Sequence, residues 1–156
     1  MSIAKTGLTA KDVMTADPVC VPPSAGIREL ARVFEENEVS GAPVIDQQGK
    51  LIGVVSKTDL IRRCSQGIGD VPPAYLFEIL SEQGESEEWS EVIPEPLVCV
   101  QDFMTEGPVT VGPDAPAAAI AKRMSEHGIH RVVVVDEGEF PIGIVTSLDM
   151  LKKWPG

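Results

Sequence analysis

Hydrophobic positions along this chain switch between two periods, and they do so twice. A short apolar run at 18–21 is followed by Ile27, Leu30, Ala31 and Phe34 at helical spacing, with Arg28, Glu29, Arg32 and Glu35 on the opposite face. That pattern predicts a helix that covers a core with one side only. Two β-branched runs come next, 42–45 and 51–55, separated by Asp46, Gln47, Gln48 and Gly49, which predicts a hairpin buried on at least one face. A last helix follows Ser56. The same succession returns as 108–111, then Ile120, Ala121 and Met124, then runs at 132–135 and 142–145, then a helix after Thr146. Ser24 and Asp114 are the expected N-caps of the two longer helices.

The recurrence is a repeat. Shifted by 90 residues, the segment from Asp12 to Arg63 lies over that from Asp102 to Lys153 without a gap, and sixteen of 52 positions are identical. Each copy predicts a β-α-β-β-α unit, so the expected class is mixed α/β. One unit of about fifty residues is too small to bury a convincing core alone, and two packed sheet to sheet would solve that problem. The expected organisation is a first repeat with its N-terminal segment (1–63), an acidic, partly helical linker (64–98) and a second repeat (99–156). Within the linker, AYLFEILSEQ has the makings of an amphipathic helix. The acidic stretch 85–91 is either a solvated face or a surface for a partner.

Charge narrows the function. The chain of 156 residues carries a net charge of −11, and between Arg63 and Lys122 there are eleven acids and no Lys or Arg. This argues against a nucleic-acid surface, which needs clustered cations, and leaves the two flanking repeats to hold any anionic ligand. No stretch approaches the roughly 20 apolar residues that span a bilayer, and MSIAKTGLTAKDVMTADP lacks the apolar core of a secretory signal. The expected location is the cytoplasm. The three cysteines, Cys20, Cys64 and Cys99, form no C-x-x-C and suggest core or surface thiols. His127 and His130 have a spacing that can suit a metal, but no acid or cysteine completes a site, so no metal is expected. Met14 and Met104 are expected to pack, as are Trp89 and Trp154 unless they anchor dimer contacts. No catalytic triad, Walker loop or G-x-G-x-x-G is visible, and no enzyme activity is expected.

The residues with a chemical message sit at the β-to-α corners, GVVSKTD (53–59) and GIVTSLD (143–149). A hydroxyl ends each strand and an Asp follows three positions later. That spacing makes a capping box, with the acid also favouring the helix dipole. The same carboxylate can instead accept two hydrogen bonds from a sugar diol, because an ionised carboxylate offers two oxygens and donates nothing. Both readings stay open on the sequence.

Taken together, the D-x-M-T openings, the P-V-x-V runs, the V-I-D and V-V-D strands and the two corners resemble the CBS domain, named for cystathionine β-synthase, over about two thirds of the chain. The resemblance implies a Bateman module: two repeats packed through their sheets with pseudo-two-fold symmetry, often as a homodimer. Such modules bind an adenosyl ligand (AMP, ADP or ATP, less often S-adenosylmethionine or NAD) in clefts that mix residues of both repeats. Carried over residue by residue, it implies ribose contacts from Asp59 and Asp149, hydroxyl contacts from Ser56 and Thr146, and a polar contact from Thr110, where the first copy has Cys20. It also implies base-packing and phosphate contacts from Ile129, His130 and Arg131, matched in the first copy by Val39, Ser40 and Gly41, with Ala42 and Pro43 following. Only the second copy has a cation there, so one well-occupied cleft per chain is expected. The expected function is non-catalytic regulation through an adenine nucleotide, acting on an unidentified protein. The alternative is a structural or partner-interaction module whose ligand sites have degenerated.

Overall fold

The computed structural model describes residues 7–67 and 98–153, which fall into two compact units. The expected linker helix, the acidic stretch 85–91, Trp89 and Trp154 lie outside the described residues. The carboxyl unit comprises residues 7–18, 48–51 and 107–153, and the amino unit comprises 19–47, 52–67 and 98–106. The units therefore do not coincide with the sequence repeats. The D-x-M-T segment that opens each repeat folds with the body of the other.

In the carboxyl unit, helix α1 (Ala10–Val13) and strand β1 (Thr15–Ala16) join the body of the second repeat. That body runs β5 (Thr110–Val111), α4 (Ala117–His127), β6 (Arg131–Val135), β7 (Pro141–Thr146) and α5 (Ser147–Lys152), the predicted order. The sheet order is β1-β7-β6-β5, with β5 parallel to β6 and the other pairs antiparallel. Backbone bonds fix the imported segment: Ala10 N–H donates to the Ala115 carbonyl at 2.8 Å and Ala117 N–H to the Leu8 carbonyl at 2.9 Å. The core joins Ala10 and Val13 to Ala117, Ile120 and Met124 of α4, to Val111, Val132, Val134 and Val145 of the sheet, and to Met150.

The amino unit has α2 (Ile27–Asn37), β2 (Gly41–Ile45), β3 (Leu51–Ser56, whose first residue falls in the carboxyl unit), α3 (Lys57–Cys64), a short 3-10 turn (Val100–Asp102) and β4 (Thr105–Glu106). The sheet order is β2-β3-β4. The strand expected at 18–21 is reduced to one parallel bridge, Val21 with Val44. Phe34, Ile27 and Leu30 anchor the core with Val21, Val44, Val55 and Val100, all at most 1% exposed.

The two longer helices start later than expected. Their N-caps are Gly26 and Pro116, with no side-chain cap, rather than Ser24 and Asp114. Turns closed by Ala25 N–H to the Pro22 carbonyl and Ala115 N–H to the Gly112 carbonyl take up Ser24 and Asp114. Pro23 and Pro113 stand at the second position of these turns, where their fixed φ is already suitable.

The corner glycines explain the D-x-M-T methionines. A Cβ on Gly53 would lie 2.6 Å from Met104 Sδ, and one on Gly143 would overlap Met14 Sδ. Each methionine occupies the space that the corner glycine leaves open, so two motifs a repeat apart in sequence form a single contact.

Candidate functional site

Both corners fold as capping boxes. Asp59 N–H donates to Ser56 Oγ at 3.2 Å while Ser56 N–H donates to Asp59 Oδ2 at 2.8 Å. Asp149 N–H donates to Thr146 Oγ1 at 3.1 Å and Thr146 N–H to Asp149 Oδ2 at 2.9 Å. The bonds orient each carboxylate at the helix mouth and use one of its two oxygens. Asp59 Oδ1 lies 3.5 Å from the Arg62 guanidinium, with the Asp59 side chain 17% exposed.

The strand register decides which other side chains can join Asp149. Directly opposed residues in a sheet project to the same face, and neighbours along a strand to opposite faces. The register pairs Thr110 with Val133, Val133 with Ile144, and Arg131 with Thr146. Val111, Val132, Val134 and Val145 belong to the core, so Thr110, Arg131, Val133, Ile144 and Thr146 share the other face. Three of the residues singled out by sequence thus lie on one sheet surface, and Thr146 connects it to Asp149. Ser147 N–H donates to the His130 carbonyl at 2.8 Å, tying the exposed His130 to the same corner. Ile129, half-buried, packs against the core.

In the amino unit the equivalent tie is Lys57 N–H to the Ser40 carbonyl at 2.9 Å. Ala42, Val44 and Val55 point into the core, so alternation places Gly41, Pro43 and Ser56 on the opposite face. Ala42 is a core residue. At the places of Thr110, Arg131 and Thr146 stand Cys20, Gly41 and Ser56, with no charge among them.

Two features were not singled out from the sequence. Arg123 donates from Nη1 to the Thr110 carbonyl at 2.9 Å, holding a guanidinium at the edge strand β5. Arg62 and Arg63 stand one helical turn beyond Asp59, a spacing that the sequence displays. Among the described residues no group of three or more His, Cys, Asp or Glu could hold a metal ion, and no helix is long and apolar enough to cross a membrane. Burial pushes the Cys20 and Cys64 thiols up, so both keep their protons at neutral pH.

Two mixed α/β units with capped Asp corners, built from one repeated sequence, define a tandem-module protein. The CBS domain family model matches residues 10–66 and 100–156. The chain belongs to the CBS domain family as a tandem pair. It is 32% identical over 149 residues to an uncharacterized protein of Methanocaldococcus jannaschii, MJ1426, covering 91% of this chain and 88% of that one. The CBS domain of a CBS domain-containing membrane protein from Sphaerobacter thermophilus has 31% identity and a TM-score of 0.71, with 97% of this chain and 92% of that one covered. CBSX2, a CBS-pair protein of Arabidopsis thaliana solved in complex with AMP, has 28% identity and a TM-score of 0.67, with 94% and 95% covered. Against several enzymes that it also matches, the chain spans only about a quarter of their length.

Proposed function

We propose that this protein is a regulatory, non-catalytic module whose signal is an adenine nucleotide: AMP, ADP or ATP. The observation that carries this is the shared sheet face of Thr110, Arg131 and Thr146, joined to the Asp149 carboxylate at the mouth of α5. A ribose diol supplies two donors to Asp149, which keeps Oδ1 beyond its cap. A phosphate supplies acceptors for Arg131 and His130. Each hydrogen bond to a charged group contributes about 1.5–3 kcal/mol, and micromolar affinity needs about 8 kcal/mol, so two or three such bonds and a packed base suffice. The AMP complex of the related CBSX2 supports this ligand class. Nucleotide binding regulates only by favouring one conformation over another.

Isothermal titration calorimetry with AMP, ADP and ATP tests the proposal. Asp149→Asn is the informative variant, because its amide oxygen can still accept from Thr146 N–H while the charge and one acceptor are lost. Binding by the wild type and its loss in Asp149→Asn support the proposal. Indifference of the wild type to all three nucleotides overturns it.

A second property is proposed beside this one, self-association in the cytoplasm. On α5, Leu148 and Leu151 are 58% and 68% exposed, and on α3 Ile61 is 55% exposed. Exposed leucines at i, i+3 spacing form an apolar stripe that association with a second copy would cover. Light scattering should give twice the chain mass, and Leu148→Glu with Leu151→Glu should halve it. A wild type of single-chain mass rules it out and favours a stripe that docks an unlike partner.

A further inference from the structure

Of the four methionines among the described residues, two are sealed and two are not. Met124 and Met150, in the carboxyl core, are 7% and 6% exposed. Met14 and Met104 are half-buried, each packed on the margin of a core cluster. Both stand at the same place in their repeat, with sulfur in the gap over a corner glycine. A Cβ on Gly53 would lie 2.6 Å from Met104 Sδ, and one on Gly143 would overlap Met14 Sδ. No atom's width is left between either sulfur and the strand beneath it.

That contact holds down strands that have little else. β1 and β4 are exposed, two residues long and at sheet edges. Each is registered to its neighbour at two positions, Thr15 with Ile144 and Ala16 with Gly143 in one, Thr105 with Val54 and Glu106 with Gly53 in the other. The methionine immediately before each strand is its apolar anchor. β7 and β3, which carry the glycines, have a neighbouring strand on both sides, so their backbone donors are spent on the sheets.

One added oxygen undoes such a contact. Hydrogen peroxide delivers it to a thioether sulfur: the O–O bond breaks, an S=O bond forms, the sulfur gives up two electrons and water leaves. The sulfoxide is bulkier by one atom and polar, and in the glycine gap it meets neither room nor donor. It must swing out, and the two-residue strand loses its anchor. We propose that Met14 and Met104 are a paired oxidation site, through which a peroxide releases both D-x-M-T segments from their corner glycines. A dithiol acting through a methionine sulfoxide reductase reverses the step, removing the oxygen as water and leaving a disulfide. Met124 and Met150 take no part, because the core shields them. The inference needs nothing from nucleotide binding.

Timed exposure of the full chain to hydrogen peroxide, followed by tryptic mapping, thermal unfolding and amide hydrogen exchange, tests it. Trypsin places Met14, Met104, Met124 and Met150 in four different peptides. Met14 and Met104 are expected to gain one oxygen about tenfold faster than Met124 and Met150. Oxidation should lower Tm by about 5–10 °C and speed exchange in β1 and β4 about tenfold or more. The double variant Met14→Leu/Met104→Leu keeps side-chain volume and resists peroxide, so the same treatment should leave its Tm and exchange unchanged. Its cysteines are those of the wild type, so an equal loss there assigns the effect to thiols and overturns the inference. The single variants guard against misfolding of the double one: treated Met14→Leu should keep protection in β1 and lose it in β4, and Met104→Leu the reverse. Equal oxidation of all four methionines, or oxidation of Met14 and Met104 that leaves Tm and exchange unaltered, also overturns it. Dithiothreitol with a methionine sulfoxide reductase should restore the starting Tm, and failure to restore it overturns the reversible device.

Discussion

The carboxyl and amino units are built on one template and differ where a ligand would look. Their corners superimpose bond for bond: Thr146 with Asp149 and Ser56 with Asp59 make the same two capping bonds, all between 2.8 and 3.2 Å. Their outward sheet faces diverge, with Thr110, Arg131 and Thr146 in one and Cys20, Gly41 and Ser56 in the other. Features the helix starts require have stayed the same in both copies. The charge on the sheet, which the fold does not require, has not. A corner Asp is therefore weak evidence for a ligand, since capping alone accounts for it, and the cation near it carries the discrimination. In the carboxyl unit that cation stands on a strand, and in the amino unit the nearest ones stand on α3.

The largest expected effect comes from removing that difference. Arg131→Gln makes the carboxyl face as uncharged as its counterpart and should weaken nucleotide binding by about tenfold to a hundredfold, the worth of one charge-assisted hydrogen bond. Folding stability should change by about 1 kcal/mol or less, since the residue lies outside the core cluster. Calorimetry and urea denaturation on the same samples separate the two quantities. Unchanged affinity would move the anion site away from this sheet face.

Next in size is the contact between corner glycine and methionine, where the two units differ in what resists a new methyl group. A Cβ on Gly53 would meet Met104 Sδ at 2.6 Å and also the Thr105 carbonyl at 2.9 Å, whereas around Gly143 the nearest atoms all belong to the Met14 side chain. A flexible side chain can move aside and a strand carbonyl cannot. Gly53→Ala should cost about 2–3 kcal/mol and Gly143→Ala about 1 kcal/mol, within the usual range for overpacking. Adding Met14→Ala should remove much of the Gly143→Ala penalty, while Met104→Ala should leave most of the Gly53→Ala penalty in place. Equal costs, equally relieved, would mean that the Thr105 backbone gives way.

These contacts mark the limit of what the residues disclose before they fold. The order of elements was legible because period-2 and period-3.6 patterns recur in register, and the corner caps were legible because Ser or Thr with Asp three residues on is a local signal. The late helix starts were missed because Pro23 and Pro113 favour a turn that competes with Ser24 and Asp114 as caps. The exchange of the D-x-M-T segments was not legible, since nothing in Asp12–Thr15 or Asp102–Thr105 says which glycine each methionine will meet. Nor was the shared face of Thr110, Arg131 and Thr146, which depends on strand register across β5, β6 and β7.

The smallest effect concerns the ends of the two long helices, where the units solve one problem with different residues. Both helices close in a left-handed residue, Glu38 at φ 52° after α2 and Gly128 at φ 63° after α4. In both, the next N–H returns to the helix, from Val39 to the Phe34 carbonyl at 3.1 Å and from Ile129 to the Met124 carbonyl at 3.0 Å. Glycine adopts this conformation without the clash of about 1–2 kcal/mol that a Cβ incurs, though it loses about 0.5–1 kcal/mol more backbone entropy on folding. Glu38→Gly should therefore stabilise the protein by about 0.5 kcal/mol, and Gly128→Ala should destabilise it by about 1 kcal/mol. Chemical denaturation with an unchanged m-value would measure both. A loss of stability in Glu38→Gly would show that the Glu38 side chain contributes more than its strained backbone costs, and that the amino unit's departure from glycine is itself a stabilising choice.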